Sequence, residues 1–168
     1  PAHAQQQSLS GTQARIVNGV PAYDYPTTGA LMKSNGHWCS GTLIACRTFL
    51  SAAHCVEDTP SPSAYKVFLS HGGLFNVSAI NSHATYGALG FPNADVAVLT
   101  LTEDVTGIAP MPLNRIDPSG HYGSTATIVG FGQSEGSAGD YGLRRKGNVE
   151  LASCSGTPSG TSNTELVC

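Results

Sequence analysis

The chain has 168 residues, enough for one domain with a sizeable core or for two small ones. Only 11% of them are charged and the net charge is −3, so the clustered Lys and Arg that a nucleic-acid partner needs are missing. No apolar stretch approaches the roughly 20 residues of a membrane-spanning helix, and no membrane partner is expected.

Residues Pro1 to Ala14 are polar and carry no apolar period. Ala2-His3-Ala4 fits the small-x-small pattern that precedes signal-peptidase cleavage, so residues 1–15 are expected to be signal remnant and propeptide. From Thr28 onward, short apolar runs alternate with turn clusters, the pattern of an all-β barrel or sandwich. Strands are predicted at Gly29 to Ser34, Trp38 to Ala45, Phe49 to Ala52, Tyr65 to Ser70, Phe75 to His83 and Val96 to Thr102. Asn35-Gly36, Pro60-Ser61-Pro62-Ser63 and His71-Gly72-Gly73 supply the intervening turns. A Pro- and Gly-rich connector over 107–120 leads to further strands at Ser124 to Gly132, Leu143 to Ala152 and Asn163 to Cys168. Arg144-Arg145-Lys146 is the only basic run and reads as a solvated loop.

Chemistry is concentrated in two segments. Cys39-Ser40-Gly41-Thr42-Leu43-Ile44, closed by Leu50-Ser51-Ala52-Ala53-His54-Cys55, frames one histidine between two half-cystines. Forty-one residues after His54, Asp95 opens the apolar run Val96-Ala97-Val98-Leu99. A histidine beside a cysteine can be a packed or metal-binding residue, and an aspartate before a strand can simply end a loop. Jointly they supply a general base and its orienter.

The two motifs together resemble the trypsin and chymotrypsin family of serine endopeptidases, whose histidine motif reads T/S-A-A-H-C and whose aspartate motif reads D-I-A-L-L. The resemblance runs from Arg15 to Cys168. It implies a double six-stranded β-barrel: residues 16–106 as a complete first barrel with His54 and Asp95, 107–120 as connector, and 121–168 as part of the second. Arg15-Ile16-Val17-Asn18-Gly19 resembles the activation junction, where an activating protease cuts after Arg15 and the new Ile16 ammonium folds inward. Disulfides Cys39–Cys55 and Cys154–Cys168 are implied likewise, which leaves Cys46 as a small buried hydrophobe or as one half of a pair with a partner outside the sequence. Paired cysteines suit an oxidising, extracellular or periplasmic location. No cofactor is expected: zinc-ligand spacings are absent, and Ser70 to Asn76, where some relatives hold calcium, contains no carboxylate.

The nucleophile motif of the family, G-D-S-G-G-P, does not occur. Ser134 and Ser155 lack the flanking glycines that would turn the backbone tightly enough to aim N–H groups at an oxyanion. The reading is therefore a secreted endopeptidase zymogen acting on polypeptide substrates. Its serine lies beyond residue 168, on a C-terminal segment or a second chain, and these 168 residues alone are expected to be inactive. The alternative is a non-catalytic, protease-like binding module. Retention of both His54 and Asp95 speaks against it, since a binding scaffold has no need of a matched base and orienter.

Overall fold

Apolar side chains at every second position of Val67 to Leu69 and Ala97 to Leu101 fix which face of each strand is dry. In the computed structural model, which describes residues 16, 19–88, 94–133 and 141–152, Val67, Leu69, Ala97, Leu99 and Leu101 are completely buried. The strands are β1 (Val20–Pro21), β2 (Thr28–Lys33), β3 (Gly36–Ala45), β4 (Thr48–Ser51), β5 (Lys66–Leu69), β6 (Gly73–Ser82), β7 (Ala97–Leu101), β8 (Thr125–Gly130) and β9 (Arg145–Glu150). Each predicted strand within the described residues is found, with its ends shifted by at most two residues; the one expected at Asn163 to Cys168 lies outside them.

Strands β2 to β7 close into a barrel in the order β2-β3-β4-β7-β6-β5, with every neighbouring pair antiparallel. Closure removes the unpaired edges that a flat sheet of this composition would expose. Leu31, Leu43, Phe49, Tyr65, Val67 and Leu99 fill the interior, each contributing about 1.5–3 kcal/mol of burial. Gly41 makes room for this packing. A Cβ there would strike the Phe49 ring and the Leu50 carbonyl of the paired strand. The turn between β2 and β3 falls on Ser34-Asn35, one residue earlier than the Asn-Gly pair suggests, with Gly36 (φ 114°) absorbing the left-handed backbone as the first residue of β3.

A second sheet runs in the order β1-β9-β8. Val20 and Pro21 pair with Lys146 and Arg145, so the segment ahead of the closed barrel is carried across to the second sheet. Long-range polar contacts lock the units together. The Phe131 amide donates to Ser40 Oγ at 2.9 Å. Arg144 donates from Nε to the Ala22 carbonyl at 2.9 Å, and from Nη1 to Ser70 Oγ at 2.8 Å and the Thr28 carbonyl at 3.3 Å.

The basic run is thus not a solvated loop. Arg145 and Lys146 belong to β9, and Arg144 is 6% exposed. Its acceptors lie 74 to 122 residues away in sequence, so no local pattern could announce them. Cys46 is also corrected in part: it sits exposed as a free thiol in the β3–β4 turn and is not a buried hydrophobe.

Arg144→Ala would leave buried carbonyls without donors, and Arg144→Lys cannot reproduce the planar fork. Both variants are expected to lose about 2–3 kcal/mol of unfolding free energy, read as a lower urea midpoint with an unchanged slope.

Candidate active site

His54 lies on a single 3-10 turn, Ala53–Cys55, that follows β4. Ala53 and Val56 are buried pegs on either side of it, so the turn is seated in the core while the imidazole faces out, with 42% of its side chain exposed. A disulfide from Cys39 on β3 to Cys55 staples the turn, with a Cα–Cα distance of 6.3 Å. The single tryptophan adds a second tether. Trp38 Nε1 donates to the Cys55 carbonyl at 2.8 Å.

Asp95 arrives from the opposite direction. β4 and β7 are antiparallel with Ser51 opposite Ala97, so the chain leaving β4 and the chain entering β7 emerge at the same end of the pair. His54 is three residues past Ser51 and Asp95 two residues before Ala97, and the register alone makes them neighbours. Ala94 turns the backbone into place at φ 52°, a left-handed conformation that costs a non-glycine residue roughly 1 kcal/mol.

The resulting contact is two-pronged. The His54 amide donates to Asp95 Oδ1 at 2.8 Å, and ring Nδ1 lies 2.7 Å from Asp95 Oδ2. A carboxylate can only accept, so Nδ1 carries the proton and Nε2 holds the basic lone pair. The Asp95 side chain is only 15% exposed, which strengthens this interaction relative to one in open water. Cys39, His54 and Cys55 bring three metal-type ligand atoms within 4.8 Å of one another. The two sulfurs are bonded to each other, however, and offer no thiolate to a cation.

Around the pair are residues that the sequence did not single out. Tyr86 OH donates to Glu57 Oε2 at 2.6 Å, joining the turn after His54 to the segment before Asp95. Burial and then that acceptor push the Tyr86 phenol well above its ordinary range. Elsewhere on β3, His37 is half-buried, its ring 6.2 Å from that of Phe131 and 6.1 Å from that of Tyr141. Its Nε2 is buried with no hydrogen-bond partner among the described residues. Of the other expected site residues, Ile16 is buried, and a Cβ built on Gly147 would come within 3.0 Å of its Cγ2. Arg15, Cys154, Cys168, Ser134 and Ser155 lie outside the described residues.

The trypsin family model matches residues 16–168. The chain belongs to the trypsin family. It is 28% identical over 164 residues to Trypsin alpha of Drosophila melanogaster, covering 91% of this chain and 63% of that protein. It is 31% identical over 129 residues to Trypsin alpha-4 of Lucilia cuprina, covering 70% and 49%. The fold is also that of the Vibrio cholerae VesB protease (TM-score 0.64, 23% identity, 84% of this chain and 46% of that one). The chain thus spans about half to three-fifths of the length of these relatives.

Burial holds His37 below its ordinary pKa of 6.5, partly offset by a backbone hydrogen bond involving Cys39. Because the folded value is the lower one, the associated stability is fully present above about pH 6.5 and is lost as pH falls below it. Urea unfolding between pH 7.5 and 5 is expected to show this decline, and His37→Gln to flatten it.

Proposed function

We propose that this chain carries the acid–base machinery of a secreted, trypsin-like serine endopeptidase, made as a zymogen and activated by cleavage after Arg15. The observation that carries the reading is the grip of Asp95 on both the backbone and the ring of His54, at 2.8 and 2.7 Å. A carboxylate held in this way fixes one tautomer and steadies the imidazolium that forms when a hydroxyl proton is taken.

In the proposed reaction, His54 Nε2 removes the proton of a serine supplied from beyond residue 168, and the serine oxygen attacks the peptide carbonyl. The same imidazolium then protonates the leaving amine, and water hydrolyses the acyl-enzyme by the reverse sequence of proton transfers. Cys55 Sγ lies 3.4 Å from Nε2, but a disulfide sulfur has no proton to give, so it does not quench the base. The disulfide also supports placement in an oxidising compartment, outside the cytosol.

Two proteins test the reading: the 168-residue chain, and the chain extended by what its parent gene encodes next. Cleaved after Arg15, the extended protein is expected to hydrolyse peptide p-nitroanilides. Asp95→Asn lowers its turnover by about 10⁴-fold and His54→Ala abolishes it. The 168-residue chain is expected to be inert. Hydrolysis by that shorter chain, removed by His54→Ala, would mean that its nucleophile lies within these residues. A downstream sequence with the serine replaced would turn the reading to a non-catalytic binding module.

A further inference from the structure

A groove of about 410 Å³ opens on the outside of the barrel where β2, β5 and β6 meet the 59–64 segment. The chain has three lysines, and two of them, Lys33 and Lys66, line it. Met32 and Leu74 supply an apolar floor, Leu74 being 52% exposed, and the hydroxyl residues Thr59 and Ser63 form a rim. Among the described residues, no carboxylate lines the groove. Asp58, the chain neighbour of Thr59, is not part of the lining.

The register explains why these groups converge. Met32 and Lys66 are direct cross-strand partners, and the alternation of β5 sends Val67 and Leu69 inward, leaving Lys66 on the outer surface. Lys33 is held more firmly. Its ammonium sits 3.8 Å from the centroid of the Trp38 ring and 5.4 Å from that of Tyr65, so its position is set before any ligand arrives. Trp38 in turn holds the Cys55 carbonyl, one residue from His54. Two side-chain contacts thus connect the groove to the turn that carries His54.

We propose that this groove docks an acidic stretch of polypeptide substrate, with carboxylates meeting Lys33 and Lys66 and an intervening apolar side chain resting on Met32 and Leu74. Two cations over an apolar floor suit such a segment better than a polyanion, which would need a longer basic track. Calling the occupant a substrate rests on the endopeptidase reading. The docking itself does not.

The test is fluorescence anisotropy of the 168-residue protein with a labelled heptapeptide of alternating Glu and Leu, against the same peptide with Gln for Glu and against a sulfated polysaccharide. The Glu peptide is expected to bind, to weaken with salt, and to bind at least about tenfold more tightly than the Gln peptide. Lys66→Gln, an exposed change, should weaken it about three- to fivefold. Lys66→Glu should do so by about tenfold or more, and Lys146→Gln, in the second sheet, should have no effect. Equal affinity for the Glu and Gln peptides, indifference to both Lys66 variants, an equal loss in Lys146→Gln, or preference for the polysaccharide would each overturn the proposal. If the peptide binds while the extended protein shows no hydrolysis, the endopeptidase reading falls and the docking site stands. If hydrolysis is seen without peptide binding, the reverse holds.

Discussion

The arrangement depends above all on the antiparallel pairing of β4 with β7, in the register that sets Ser51 opposite Ala97. A shift of one residue would reverse the inward set Ala97, Leu99 and Leu101 and would carry Asp95 away from the His54 turn. The core therefore enforces the register and the register builds the site. Burial of three completely enclosed side chains on a five-residue strand is worth several kcal/mol, more than the hydrogen bonds between His54 and Asp95 could supply themselves.

Given that register, the remaining contacts refine position. The Cys39–Cys55 disulfide and the Trp38 hydrogen bond restrain the His54 turn from the β3 side. Ala94 holds a left-handed backbone ahead of Asp95, strain that the strand pairing and the two Asp95 hydrogen bonds offset. The Tyr86–Glu57 bond closes the ring of supports by linking the segments that follow the histidine and precede the aspartate. These supports come from β3, from the β4–β7 pair and from the segment that carries Tyr86, and together they position one exposed imidazole.

Polar contacts attach the second sheet to the barrel. Arg144 reaches two carbonyls and a hydroxyl of the N-terminal part, while Ser40 Oγ receives the Phe131 amide. Ser40 has a second task, since its carbonyl accepts from Ser51 Oγ at 3.0 Å and so ties the end of β4 to β3. The same residue thus contributes to the register that builds the site and to the seam between the two sheets.

Much of this was legible in the chain itself. Alternating apolar residues gave the strands, because a two-residue period has one physical reading on a half-buried sheet, and the motifs around His54 and Asp95 named the pair. The fate of the basic run, the burial of His37 and the gathering of Lys33 and Lys66 were not legible. A solvent-facing pattern and a clamp onto distant carbonyls look identical until the acceptors arrive. Local sequence determined strand, turn and residue type, which depend on near neighbours. Only the closed barrel decided who meets whom, because contacts across 41 to 122 residues are set by register and closure.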